Sequence, residues 1–225
     1  MYSERMNVLI TGASGGLGTA VCQEFLAGGA KVIGVAREWK APEPFAMISA
    51  DVSTAEGCEW MVKQALEQGP LDALVHLVGG FAGGSGVAET SDETWDKMMN
   101  INLRTAFCCI RAALKPMQAA GRGRIVAVGT RMAVEASPNF AAYAVSKAAL
   151  VALVKNVAAE GKKFGVTANV ILPSTIDTPA NRVAMPKVDF SRWVKPESIA
   201  KLLVYLVSDA AADTSGAVIP IYGRA

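Results

Sequence analysis

Tyr143 and Lys147 stand four residues apart in Asn139-Phe-Ala-Ala-Tyr-Ala-Val-Ser-Lys-Ala-Ala-Leu150. On a helix that spacing sets both side chains on one face. A phenol that titrates near ~10 is a poor acid or base at neutrality, but a neighbouring ammonium, joined by a cationic nicotinamide if one is bound, favours the phenolate. Taken alone, the pair fits a solvated helix face better. A second motif shifts the balance: Thr11-Gly-Ala-Ser-Gly-Gly-Leu-Gly18 places Gly12, Gly16 and Gly18 between an apolar run and a helical one. Gly12 permits a tight turn, Gly16 lets backbone N–H groups approach a pyrophosphate, and Gly18 lets the helix pack closely on a sheet. Ser14, Gly15 and Leu17 complete the cradle, and the helix N-terminus favours the anion. The competing reading is a glycine-rich turn without a ligand. With strand and helix flanks both present, a redox dinucleotide is the expected occupant.

The end of the second apolar run, Gly34-Val-Ala-Arg-Glu38, bears on which dinucleotide binds. An acidic residue there would grip a ribose 2′-hydroxyl, whereas an arginine accommodates a 2′-phosphate. Ala36 brings no charge and Arg37 offers a planar cation, so NADPH/NADP is expected over NADH, with Glu38 as a counter-signal and a solvated surface arginine as the alternative. In Ala50-Asp-Val52, Asp51 with Val52 beside it can accept from an adenine amino group or cap the following helix.

These groups need a scaffold. Of 225 residues, 52% are hydrophobic and 19% charged, which suits one well-buried domain over residues 1–225. Apolar runs at 7–10, 31–36, 45–50, 72–78, 124–128, 167–172 and 217–221 read as seven strands. Helical spacing at 16–27, 54–68, 93–119, 140–164 and 196–207 lies between most of them. Such alternation predicts an α/β fold, a single doubly wound Rossmann domain with a seven-stranded parallel sheet and helices on both faces. Its ligand belongs at the carboxyl ends of the strands. Only about ten residues around Pro42 and Pro44 separate the second and third strands, too few for a covering helix.

Composition also excludes classes. A net charge of +2 without a basic block argues against nucleic acid. The start, with Glu4 and Arg5, lacks the apolar stretch of a signal peptide, and Lys147 and Lys155 interrupt the apolar run 140–159, so a soluble cytoplasmic protein without membrane association is expected. One histidine leaves no material for a His-based metal site or a Ser-His-Asp triad. Cys22, Cys58, Cys108 and Cys109 show no C-x-x-C pair and read as reduced, space-filling thiols.

The glycine loop together with Tyr143-x-x-x-Lys147 resembles the short-chain dehydrogenase/reductase family over nearly the whole chain. The resemblance implies hydride transfer to a carbonyl or conjugated small molecule, with Tyr143 delivering the proton and Lys147 binding the nicotinamide ribose and tuning Tyr143. It implies that Asn102, in Asn100-Ile-Asn-Leu103, holds a helix backbone and a proton-relay water; a buried amide bracing a helix kink is the alternative. In Pro173-Ser-Thr-Ile-Asp-Thr178, it implies that Pro173, Ile176 and Thr178 border the nicotinamide carboxamide. Two positions depart from the family. Thr130 stands where it has a serine, keeping the hydroxyl on a stiffer side chain. His76-Leu-Val-Gly79 replaces Asn-Asn-Ala-Gly, keeping Gly79 and making His76 a structural histidine beside the cofactor.

Residues 78–84 and 176–193 are similar to the dihydropteridine reductase branch, as is the missing helix after the second strand. That branch does without the serine because it reduces a quinonoid ring, whereas Asn102, Thr130 and Arg37 look like the general family. The loop at about 178–195 is expected to cover the substrate, with Met185, Phe190 and Trp193 as apolar cover or as packing. Resemblance further implies a homodimer or homotetramer through long helices. From another class, the same fold can serve as a non-catalytic NADPH-binding sensor or scaffold.

Overall fold

The computed structural model describes residues 6–224, so the charged start at Glu4 and Arg5 lies outside the described residues. The seven strands are β1 Asn7–Thr11, β2 Lys31–Ala36, β3 Ala46–Ser49, β4 Ala73–His76, β5 Gly123–Val128, β6 Val166–Pro173 and β7 Val218–Ile221. They form one sheet in the order β3-β2-β1-β4-β5-β6-β7. Every pairing is parallel, as alternation predicted. The central strands are apolar on both faces because helices cover both. Along β1, Leu9 joins the core beneath α2 (Ala55–Leu66), α4 (Thr105–Ala120) and α5 (Ala141–Gly161). Val8 and Ile10 join the opposite core beneath α1 (Gly18–Ala27) and α7 (Pro196–Val207). This two-residue alternation sends successive side chains to opposite layers.

β1 is flanked by β2 on one side and β4 on the other. The strand order therefore reverses beside it, and a crevice opens at the carboxyl ends of β1 and β4.

Three local outcomes differ from the sequence expectation or sharpen it. The expected helix over 93–119 is divided into α3 (Asp92–Met99), a π-helical turn (Asn100–Arg104) and α4. The helix-free crossover between β2 and β3 is closed by aromatic rings: Trp39 and Phe45 meet edge to face at 5.9 Å, and Trp39 Nε1 donates to the Ile48 carbonyl at 3.3 Å. A Cβ on Gly34 would lie 2.9 Å from Trp39, so the glycine makes room for this cover. Within the loop after β6 lies an unexpected short helix, α6 (Pro179–Ala184), with Thr178 as its N-cap and proline in its first turn.

Among the described residues, one helical stretch, Ala141–Phe164, is long and apolar enough to cross a membrane. Here it packs along β6, with Lys147 buried in it.

Candidate active site

Gly12 takes φ +73°, a left-handed conformation that favours glycine, directly after β1. Its N–H and that of Ala13 donate to the Val35 carbonyl at 2.9 and 3.1 Å, pinning the turn to β2. A Cβ on Gly18 would strike the carbonyl oxygens of Gly12 and Ala13, so no side chain fits where α1 begins. Leu17 gives α1 no side-chain cap; the Thr19 N–H is taken by the Gly15 carbonyl at 3.1 Å. Gly16 has a neighbour on another loop. Its missing Cβ lies 3.4 Å from Thr178, so the glycine loop and the loop after β6 meet there.

Beside this turn runs a cleft of about 510 Å³. Gly12, Ser14 and Gly15 form one wall, and Ala36, Arg37, Asp51 and Val52 line it from the ends of β2 and β3. Arg37 is exposed there. The Asp51 carboxylate accepts from the backbone N–H and hydroxyl of Ser53, at 3.0 and 2.7 Å, which holds it below the usual carboxylate range. Thr54, not Asp51, caps α2, accepting from the Gly57 N–H at 3.0 Å. Lys97, Asn100 and Ile101 also line the cleft, and sequence reasoning passed over all three. A π-helical turn decides which faces of this segment meet the crevice, and ordinary helical spacing does not reveal that.

Past Gly79, the second half of the site gathers on α5 and the end of β5. Tyr143 and Lys147 lie one turn apart, and Lys147 is buried with Nζ donating to the Val128 carbonyl at 2.8 Å. Burial pushes this ammonium down to about 8. Tyr143 is pushed up by burial, while a hydrogen bond with the Thr130 hydroxyl acts in the opposite direction. Burial and Thr130 are the influences on the phenol in this structure, and the joint effect expected of Lys147 and a bound nicotinamide does not come into play. Lys147 is committed to Val128, and the resting phenol is protonated, as a proton donor must be.

Asn102 is buried in the π turn. Its Oδ1 accepts from the Gly80 N–H at 2.9 Å, and its Nδ2 donates to the Gly80 carbonyl at 3.1 Å and the Ser146 hydroxyl at 3.0 Å. Ser146 in turn donates to the Tyr143 carbonyl at 2.8 Å. The amide thus ties the widened turn, the loop after β4 and the helix carrying Tyr143 into one unit. A Cβ on Gly79 would lie 2.9 Å from Asn102 Oδ1 and 3.0 Å from Lys147 Nζ, which explains the glycine.

His76 is buried, and burial, assisted by the Lys147 charge, pushes it down to about 3. Thr105 donates its hydroxyl proton to the Ile101 carbonyl at 2.7 Å, so the 3.5 Å contact to His76 Nε2 makes that nitrogen the donor. Nδ1 then accepts from Thr11 at 2.9 Å. A neutral, partnered imidazole is structural.

The loop after β6 is ordered by its own contacts. Pro173 pairs with Ile221 at the end of β6. The Ile176 carbonyl accepts from the Thr178 N–H at 2.9 Å and Asn181 Nδ2 at 2.8 Å. Arg182 grips Asp177 with two nitrogens, one at 2.8 Å, and lies over the Phe190 ring, which packs on Trp193 at 4.7 Å. Trp193 is buried and Met185 exposed, so Trp193 serves as packing. All four cysteines are buried and free. The described residues contain no metal-binding cluster.

The short chain dehydrogenase family matches residues 6–189. The 3-oxoacyl-[acyl-carrier-protein] reductase MabA of Mycobacterium tuberculosis is 31% identical over 226 residues, covering 96% of this chain and 91% of that protein. The acetoacetyl-CoA reductase of Allochromatium vinosum is 29% identical over 96% of each chain. Among solved structures, levodione reductase superposes with a TM-score of 0.89 at 28% identity, covering 97% of this chain and 96% of that one. ElxO with NADP bound shares the fold with a TM-score of 0.91 at 24% identity over 98% of each chain.

Proposed function

The chain belongs to the short-chain dehydrogenase family and is an oxidoreductase; from that premise we propose that it reduces a carbonyl carbon of a small molecule, using NADPH, with Tyr143 as proton donor. The observation that carries this reading is the half-buried Tyr143 phenol, hydrogen-bonded with the Thr130 hydroxyl and one helical turn from the buried Lys147, whose Nζ donates to Val128 at the end of β5. The cradle fits a dinucleotide because Gly12, Gly15 and Gly79 line the cleft of about 510 Å³ without side chains to obstruct it. NADPH, when bound, supplies the hydride. Arg37 holds the 2′-phosphate, the uncapped start of α1 faces the pyrophosphate, and Asp51 and Val52 border the adenine. Pro173, Ile176 and Thr178 border the carboxamide. Lys147, here bonded to the Val128 carbonyl, would hold the ribose hydroxyls of the bound dinucleotide, and its ammonium would favour loss of the Tyr143 proton. Thr130 donates to the acceptor oxygen, and Asn102 fixes the loop and helix that hold the groups in place. Residues 178–195 form the substrate cover.

Tyr143→Phe tests this directly. Turnover, followed by NADPH absorbance, should fall by about 10²-fold or more while NADPH affinity stays near wild type, since only the proton-transfer hydroxyl is removed. Wild-type turnover would remove Tyr143 from the chemistry, and tight NADPH binding without any turnover in the wild type would favour the sensor reading.

A narrower reading, a dihydropteridine-reductase-like enzyme, is supported by the helix-free crossover under Trp39 and Phe45 and by the glycine-flanked Phe81. The hydroxyl at Thr130 and the cation at Arg37 favour the general carbonyl-reductase reading. We further infer a cytoplasmic homodimer or homotetramer. The groove between α4 and α5, lined by Phe107, Ile110 and Leu153, supplies an apolar surface for such pairing.

A further inference from the structure

Residues 79–84 of the loop after β4 read Gly79-Gly-Phe-Ala-Gly-Gly84, so Phe81 is the single side chain larger than a methyl in that stretch. Its ring is 63% exposed, yet it is held in place. It meets the Tyr143 ring edge to face at 5.0 Å and 75°, and the Phe140 ring at 5.5 Å and 35°. The backbone on either side is pinned. Both backbone groups of Gly80 are bonded to Asn102, at 2.9 and 3.1 Å. The Gly84 N–H donates to the Asn139 carbonyl at 2.8 Å, and a Cβ on Gly83 would strike the Phe140 ring.

An exposed aromatic side chain held in one place is preorganised for a ligand, because little further freedom is lost on contact. This one stands against the phenol that delivers the proton. Building on the reductase reading above, we propose that Phe81 is a wall of the acceptor site and selects flat, conjugated carbonyl compounds, such as ring-bearing diketones and quinones, over open-chain ketones. A planar acceptor stacks on the free part of the Phe81 ring while its carbonyl oxygen reaches Tyr143. An aliphatic chain loses the ring–ring contribution, about three- to tenfold in affinity. The apolar wall thus comes from the loop after β4, whereas Trp193 is committed to packing.

The test compares wild type with Phe81→Leu, which keeps bulk without a ring, and Phe81→Tyr, which keeps the ring. Phenanthrenequinone and phenylpropanedione serve as planar acceptors, butanedione and an acetoacetyl thioester as open-chain ones. Steady-state rates are paired with calorimetric binding of phenanthrenequinone to the NADP-loaded enzyme. Phe81→Leu should raise KM for the planar pair about three- to tenfold more than KM for the open-chain pair, and Phe81→Tyr should restore the planar values. Equal effects on all four acceptors would make Phe81 a support for Tyr143 and overturn the proposal. A change of oligomeric mass in Phe81→Leu would overturn it too, by assigning the ring to a subunit contact. Phe81-dependent quinone binding without turnover of any acceptor would uphold the wall and sink the reductase reading. Turnover of the open-chain pair without preference for planar acceptors would do the reverse.

Discussion

Lys147→Met should make the protein more stable at neutral pH while crippling it. The ammonium is buried, and burial moves it from an ordinary 10.5 to about 8. That difference corresponds to roughly 3 kcal/mol of disfavoured charge in the folded state at pH 7. Methionine removes the charge but leaves the Val128 carbonyl, now bonded to Nζ at 2.8 Å, without its donor. The lost bond costs about 1–2 kcal/mol, so a net gain of about 1–2 kcal/mol is expected, or about 3–6 °C in Tm for a chain of this size. The pH dependence carries the sign. Between pH 8 and 10.5 the unfolded chain binds the Lys147 proton and the folded chain does not, so wild-type stability rises across that window relative to the variant. Above it the neutral amine still donates to Val128, and the order of stability reverses. Thermal and urea unfolding at pH 7, 8, 9 and 10, without cofactor, read out the difference, with NADPH affinity and turnover measured alongside. If Lys147→Met were no more stable at pH 7 and its pH profile ran parallel to wild type, the buried charge would not be the cost reasoned here.

Two other substitutions probe separate parts of the site. Arg37→Ala should weaken NADPH binding about tenfold or more, the worth of one charge-assisted contact, and leave NADH nearly unchanged when both affinities are titrated; equal losses would make Arg37 structural. Thr130→Ala should lower kcat on open-chain ketones about 10²-fold by removing an oxyanion-type donor, and should move the alkaline limb of the pH–rate profile upward, because Thr130 holds the phenol down. A quinonoid acceptor should be affected little, and an unshifted profile with undiminished ketone turnover would place Thr130 outside the chemistry.

Much of this architecture was legible in the sequence because it rests on periodicity and on glycine. Short apolar runs alternating with helical spacing marked the seven strands, and Gly12 and Gly18 announced a turn where φ is +73° at one position and no side chain fits at the other. The crossover after β2 was also readable, since too few residues remain there for a helix. What sequence spacing does not carry is the set of contacts between distant segments. Asn102 has the sequence environment of any helical asparagine, and only the folded chain puts Gly80 and Ser146, 22 and 44 residues away, against its amide. Lys97 and Asn100 reach the cleft because the π turn re-aims that part of the helix. Phe81 shows as an aromatic among glycines, but its proximity to Tyr143 follows from the pairing of the loop after β4 with the start of α5.

Gly79 shows why motif and geometry have to be taken together. Its backbone is not in the left-handed region, so no turn type demands glycine there. The requirement is spatial, because a methyl would press on the Asn102 amide and the Lys147 ammonium at once. Both partners are buried and already bonded, the amide to Gly80 and Ser146 and the ammonium to Val128, so neither can yield without breaking a contact. The glycine therefore joins the cleft beside the glycine turn to the groups proposed for proton transfer. Crowding there would displace Lys147 and, through Asn102 and Ser146, the turn of α5 that carries Tyr143, and a misplacement of about 1 Å in such a site is enough to cost ~10²-fold in rate.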